Sequence, residues 1–275
     1  MSESRLASIA GAGPEGFPRL DRGIPRVELD GVPIHVLDEA AAVSRIFGAL
    51  DRGEGGWVVT YNVDILRRFT KSAEFASLVQ GATIHTADGM PLVWAARLAG
   101  TGLPGRVCGS DLLSSLAAQA AESDRSIYLL GGNPGTAEKS SDILHQRHRA
   151  LRIAGHYCPA FGFDQDPAQM AALTEAVLTA RPDIVFVALG SPKQERLIEQ
   201  LRHHLPRAWF LGIGVAFTFL SGDLPRAPLW MRAVGLEWLH RLGHEPARLF
   251  RRYLIHDAPY AAGLLLRTVG RRLTS

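Results

Sequence analysis

The sequence predicts an α/β protein: a mostly parallel sheet flanked by helices, followed by a basic helical appendage. Three observations predict it. Apolar runs such as Ser126–Leu130 (SIYLL) and Asp183–Leu189 (DIVFVAL) have the unbroken hydrophobicity of strands covered on both faces. These runs alternate with helical patterns of about 10–15 residues, as βαβ units require. After Pro225 the strand pattern stops and arginine becomes frequent. A chain of 275 residues that is 47% hydrophobic and 21% charged can bury a sizeable core and falls outside the disordered class.

The elements follow in order. Arg26–Leu37 (RVELDGVPIHVL) alternates around Asp30-Gly31, a hairpin signal. Asp38 then caps a helix reaching about Leu50. Gly56–Thr60 (GWVVT) is a short buried strand, with a helix over Asp64–Lys71 behind it. Thr83–Thr86 is the next strand, followed by helices over Pro91–Ala99 and Ser110–Glu122. The SIYLL strand runs into Gly131-Gly132-Asn133-Pro134-Gly135 and a helix to about Arg149. Arg152–Gly155 is a strand, and Asp166 with Pro167 opens a helix to about Ala180. The DIVFVAL strand turns through Gly190-Ser191-Pro192 into a helix to about His203, and Ala208–Ile213 is the last strand. Two helices are expected beyond, Leu229–Leu242 and Pro246–Val269. This divides the chain into a loose polar leader (1–25), an α/β body (26–225) and an Arg-rich amphipathic appendage (226–275).

Charge and cysteine content narrow the function. The last segment, from Arg226, holds nine arginines, no lysine and three acids, a net +6 against +3 for the whole chain. Such a tail suits an anionic partner: a membrane surface, a phosphate or a nucleic acid. Trp230, Trp238, Tyr253, Tyr260 and Leu264-Leu265-Leu266 lie among the arginines, which favours a membrane-facing segment, and no nucleic-acid motif accompanies the charge. Two cysteines, Cys108 and Cys158, exclude a disulfide scaffold and fit a reducing compartment. The N-terminal residues lack the apolar core of a secretory signal. The longest uncharged apolar stretch, Ala208–Gly222, has 15 residues where a membrane span needs about 20.

Chemistry is expected at the carboxyl edge of the sheet, where open α/β folds bind ligands. The turns at Gly131-Gly132 and Gly190-Ser191-Pro192-Lys193-Gln194 offer backbone N–H groups at helix starts, which favour phosphate. Neither is a P-loop or a G-x-G-x-x-G fingerprint, and a plain tight turn explains each equally well. Asp88, in Ala87-Asp88-Gly89, is either a helix cap or a general base, and the same edge brings Thr60 and Asn62 beside it. Asp164-Gln165-Asp166 has the spacing of a divalent-metal D-x-D, although helix capping accounts for it. The pairs His145/His148 and His240/His244 have helical spacing without a third ligand, so a solvated helix face explains them better than zinc. No metal and no cofactor are expected.

Several motifs in order resemble the WecG/TagA/CpsF family of bacterial glycosyltransferases. They are Thr60-Tyr61-Asn62, Ala87-Asp88-Gly89-Met90-Pro91, Arg106-Val107-Cys108-Gly109-Ser110-Asp111, Leu130-Gly131-Gly132, Gly190-Ser191-Pro192-Lys193-Gln194-Glu195, Arg226-Ala227-Pro228 and Gly235-Leu236-Glu237-Trp238, with Arg241, Glu245-Pro246, Arg248 and Tyr253. The likeness runs from about Arg26 to Tyr253. It implies a Rossmann-like fold with a C-terminal helical appendage that helps close the site and touches the membrane. It also implies an inverting transferase that moves a sugar from a UDP donor to a polyprenyl-diphosphate-linked sugar at the cytoplasmic membrane face. By motif, Asp88 is the implied base with Thr60 beside it and Asn62 in the same wall. Arg106 and Gln194 match donor-site positions, while Arg241, Arg248 and Arg251 match appendage arginines that meet diphosphate. Phe217-Thr218-Phe219 departs from the family, which often has Asp in place of Thr218. The donor sugar stays open between glucose, N-acetylmannosamine and its uronic acid, and a homo-oligomer is compatible with the resemblance. Two other readings compete: a nucleotide- or nucleic-acid-binding regulator, and a metal-dependent transferase using Asp164 and Asp166.

Overall fold

The computed structural model describes residues 23–274, so the expected leader lies almost wholly outside the described residues. Strands β1 (Arg26–Leu29) and β2 (Val32–His35) pair antiparallel with Val27 opposite Ile34. Asp30 and Gly31 both take positive φ, the backbone that a two-residue hairpin turn demands.

Six parallel strands follow: β3 (Gly56–Tyr61), β4 (Ile84–Ala87), β5 (Ser126–Gly131), β6 (Arg152–Tyr157), β7 (Ile184–Ala188) and β8 (Trp209–Gly212). Their spatial order is β4-β3-β8-β7-β5-β6. The expected mostly parallel sheet is therefore present. Alternation along β7 shows how its faces are divided. Val185 and Val187 join the apolar layer under α2 (Val63–Lys71), α3 (Ala73–Gln80), α4 (Met90–Leu98), α7 (Pro167–Ala180) and α8 (Lys193–Arg202). Ile184, Phe186 and Ala188 point into the opposite layer, under α1 (Glu39–Asp51), α5 (Gly109–Glu122), α6 (Thr136–Arg147) and α9 (Ala216–Leu220). Successive side chains on a strand face opposite ways, so a strand between two helix layers must be apolar throughout. Each such Val, Ile or Phe contributes about 1.5–3 kcal/mol by burial.

Local chemistry sets the helix starts. Asp38 Oδ1 accepts from the Ala41 amide at 2.7 Å and opens α1. Asp166 accepts from the amides of Ala168 and Gln169 and opens α7. Helix α3 was not expected. Its sequence signals are the Ser72 cap, which accepts from the Phe75 amide, and buried Phe75 and Val79 four residues apart.

The appendage corrects two expectations. The single helix expected over Leu229–Leu242 is two, α10 (Leu229–Ala233) and α11 (Glu237–His244), broken at Gly235, where a Cβ would lie 2.6 Å from Met90 Cβ. The helix expected over Pro246–Val269 is α12 (Pro246–Phe250), a π-helical segment (Arg251–Asp257) and α13 (Ala258–Thr274). Helix α13 turns back onto the body. Leu264 is 1% exposed within its core, and Tyr260 donates to Asp30 at the hairpin turn over 2.8 Å. No helix among the described residues is long and apolar enough to cross a membrane.

Candidate active site

Strand register assembles the first part of the site. Parallel pairing sets Thr60 against Thr86 and Tyr61 against Ala87, so Asn62 and Asp88 are neighbours one residue beyond the sheet. The Asp88 amide donates to the Tyr61 carbonyl at 2.7 Å. The Val107 amide donates to the Ala87 carbonyl at 2.8 Å, which lays Arg106 and Cys108 along the end of β4.

Asp88 is partly buried, and its carboxylate makes no hydrogen bond among the described residues. Burial raises its pKa to about 7, with Glu237 and Asp111 adding to the rise and Arg106 and Arg226 opposing it. A carboxylate of that pKa can both take and hold a proton near neutrality. The helix-cap alternative fails for Asp88, because α4 has Gly89 at its cap position and no side-chain cap bond. Asn62 behaves differently. Its side-chain oxygen accepts from the Ile65 amide at 3.0 Å and caps α2, so part of its role is structural. Thr60 is buried at the end of β3.

Around Asp88 lies an ion-pair network in which only Arg106 had an expected role, as a donor-site residue. Arg106 donates to Glu237 at 2.7 Å and approaches Asp111 at 3.7 Å. Arg226 bonds Asp111 closely and reaches Glu237 at 3.4 Å, while Arg232 approaches Asp111 at 3.6 Å. Burial raises the Asp111 pKa, but hydrogen bonds from Arg226 and Cys108 outweigh it and hold the carboxyl below its ordinary range. Body residues Arg106 and Asp111 are thereby joined to appendage residues Arg226, Arg232 and Glu237. Asp111, Arg226 and Glu237 belong to the ordered motifs; charge reversal between distant motifs was the available signal.

The glycine turns form the second part. The chain leaves β5 toward β6 on one side and leaves β7 toward β8 on the other, which makes the β5/β7 edge a topological switch point. Gly131, Gly132 and Gly190 all lie there. Gly131 has φ +93°, and a Cβ on it would lie 2.8 Å from the Ala188 carbonyl oxygen, so only glycine fits. The Gly132 amide donates to that same carbonyl at 2.7 Å. Three strand spacings of ~4.8 Å separate β7 from β4 and four separate β5 from β4, so the Gly190 and Gly131-Gly132 turns lie about 14 and about 19 Å from Asp88 along the edge. The two parts can hold opposite ends of one extended ligand.

Lys193 and Gln194 follow Gly190 but face different surroundings. Lys193 pairs with Asp164 at 2.7 Å and remains partly exposed. Gln194 is buried; its amide donates to Glu195 at 3.0 Å and its oxygen accepts from the Gly214 amide at 3.3 Å. Gln194 thus braces the β8 turn from beneath. Gln194, Glu195 and Thr60 line a cavity of about 10 Å³, room for roughly one water. Glu195 Oε2 is buried there with no hydrogen-bond partner among the described residues, and burial raises its pKa.

The appendage arginines are unequal. Arg241 stacks over Phe219, with its Nε buried and unbonded, and approaches Glu245 at 3.8 Å. Arg248 is bound to Glu245 at 2.6 Å, and Arg251 is exposed. Thr218 lies on α9, beside Phe217, which packs under Gly132. The D-x-D carboxylates are occupied, Asp164 by Lys193 and Asp166 by the α7 cap. His240 and His244 stack on each other with centroids 4.4 Å apart, and His148 ends α6. Among the described residues no group of three or more His, Cys, Asp or Glu could hold a metal ion.

The sequence matches the model of the glycosyl transferase WecG/TagA/CpsF family over residues 27–274. The chain is 31% identical over 205 residues to the N-acetylglucosaminyldiphosphoundecaprenol N-acetyl-beta-D-mannosaminyltransferase of Bacillus spizizenii, covering 74% of this chain and 77% of that one. It is 31% identical over 199 residues to the protein of the same name from Bacillus subtilis, covering 72% and 75%. A parallel sheet with a free carboxylate at its edge, linked by ion pairs to a basic C-terminal appendage, is thus the form taken here by a member of the WecG/TagA/CpsF glycosyltransferase family.

Proposed function

We propose that this glycosyltransferase moves an N-acetylhexosamine or hexose from a UDP-sugar to a sugar carried on polyprenyl diphosphate, with inversion, in bacterial surface-polysaccharide synthesis. The names of the two Bacillus relatives make N-acetylmannosamine the first donor sugar to test and a polyprenyl-diphosphate N-acetylglucosamine the first acceptor. The carrying observation is Asp88: a partly buried carboxylate at the sheet edge, unbonded, beside Arg106.

The acceptor hydroxyl oxygen attacks the anomeric carbon while Asp88 takes its proton. The bond from that carbon to the phosphate oxygen breaks, and UDP leaves with the electron pair. One displacement inverts the centre. Charge grows on the leaving diphosphate, and fixed donors aimed at it stabilise the transition state. Arg106, the Gly131-Gly132 and Gly190 turns, Lys193 and the appendage arginines Arg241, Arg248 and Arg251 supply those donors without a metal. Arginine's planar fork suits phosphate oxygens better than a lysine point charge. Thr60 and Asn62 form the wall beside the base, and Gln194 supports it from below.

The appendage also supports peripheral binding at the cytoplasmic membrane face. Leu229 is 75% exposed, Trp230 63% and Phe250 54%, among Arg232, Arg248 and Arg251. Exposed apolar side chains interleaved with arginine match an anionic lipid interface. The deciding experiment is D88N assayed with UDP-N-acetylmannosamine and a lipid-diphosphate N-acetylglucosamine, with product mass as readout. Loss of product with UDP binding retained supports the reading; near-normal turnover ends it. Unchanged wild-type activity in EDTA is expected, and loss there would favour a metal-dependent transferase.

A further inference from the structure

We infer that Phe161 is the stacking platform for the nucleobase of the donor; the inference rests on the nucleotide-sugar reading above. Phe161 is 102% exposed, the most exposed large apolar side chain among the described residues. An aromatic ring held wholly in water gains nothing for the fold, while its apolar face offers a base ready contact. It does not sit among the appendage apolars. It lies in the loop between β6 and α7, and Lys193 Nζ stands 5.6 Å from its ring centroid and 6.0 Å from that of Phe163. Lys193 opens α8 directly after the Gly190 turn, so Phe161 stands over the switch-point edge rather than the far side of β6.

The loop is tied to the other glycine turn as well. Cys158 Sγ donates to the Gly132 carbonyl at 3.4 Å, and Asp164 holds Lys193 at 2.7 Å. An exposed ring, an ammonium and two glycine turns therefore converge at the end of the edge away from Asp88. That separation suits a nucleoside diphosphate sugar: base on Phe161, diphosphate over the glycine turns with Lys193, and reacting sugar at Asp88. Every base has a π face, and stacking on an aromatic side chain is worth about 1–3 kcal/mol by alanine substitution, roughly 5- to 150-fold in affinity.

The test is calorimetric titration of the full-length protein with UMP, UDP and inorganic pyrophosphate, using F161A and F161W. F161A should weaken UMP and UDP by the same factor, roughly ten-fold, leave pyrophosphate unchanged, and raise the donor KM with kcat little altered. F161W should restore both nucleotides. Wild-type protein that binds UDP with an affinity F161A leaves untouched overturns the inference alone, as does equal weakening of pyrophosphate. Wild-type protein that binds no UDP overturns the donor reading, and this inference with it.

Discussion

The sheet body and the first appendage helices are both rich in apolar residues, yet they use them in opposite ways. In β5, β7 and β8 every residue is buried. In α10 and α11 none is, and Leu229, Trp230 and Leu239 on them, with Val234 between them, face solvent. The body spends its hydrophobicity on its own fold, whereas these helices keep theirs available for another surface. Ion pairs tie them to the body, Arg106–Glu237 and Arg232–Asp111, beside Arg226–Asp111 in the segment just before them. The candidate site lies where the two regimes meet, so the same ion pairs that attach the appendage act, after burial, on Asp88. Further along the appendage apolar packing returns, at Leu249 on α12 and at Leu264 on α13.

The largest effect should fall on the carboxylate at that junction. D88N should lower kcat by about 10²–10⁴-fold, the usual contribution of a positioned base, while a thermal-shift assay still registers UDP. Titration of the same group gives the next prediction. Asp88 must be ionised to take a proton, so kcat/KM of the wild type should rise with pH through about 7 and level off above it. The stability sign is opposite. The folded state holds a proton that the unfolded chain sheds between its ordinary value of 3.8 and about 7, so stability falls with rising pH across that window. D88N, which has no charge to bury, should melt several degrees above the wild type at pH 8.

Paired truncations sharpen the contrast in packing. L264A should cost about 2–5 kcal/mol in denaturant unfolding, whereas L229A should stay within about 0.5 kcal/mol. Equal costs would mean that the appendage is packed like the body. Because α13 covers the core, deleting it would damage the fold, so membrane contact is better probed at the surface. Replacing Leu229, Trp230 and Phe250 with Ser should reduce co-sedimentation with anionic vesicles while leaving the melting temperature unchanged. The smallest effect concerns the linking charge. E237Q removes a carboxylate that raises the Asp88 pKa, so the acidic limb of the pH profile should move down by about 0.5 unit, the scale of one partly exposed charge pair. A limb that stays in place would separate appendage docking from the base.

Much of this was legible from residues alone. DIVFVAL fits a strand covered on both faces, and Asp30-Gly31 between alternating segments is a hairpin signal; the fold has both. The ordered motifs named Asp88, Thr60 and the glycine turns, which strand register and order set along one sheet edge. Other features were not legible because they depend on distant partners. The helix break at Gly235 answers the approach of Met90 and Trp94 from α4, which no local pattern encodes. Asn62 also spends its oxygen on a helix cap, and Gln194 also braces the β8 turn through the Gly214 amide, 20 residues away in sequence. Phe161, within a short FGF run, is indistinguishable in sequence from a core aromatic; both rings lie near Lys193, and only full exposure separates Phe161 from the buried Phe163.

Hydrophobic period and turn chemistry are local properties, so the amino-acid order alone determined the strands, most helices of the body and the parallel class of the sheet. Which side chains stand together is a matter of strand order and long-range pairing. Tertiary structure alone therefore decided that Arg106 would be claimed by Glu237 from 131 residues away, that α13 would close on the hairpin at Asp30, and that a carboxylate next to them would keep its proton until about pH 7. The physical reason is that burial and Coulomb energy depend on distance in space, which sequence distance does not report.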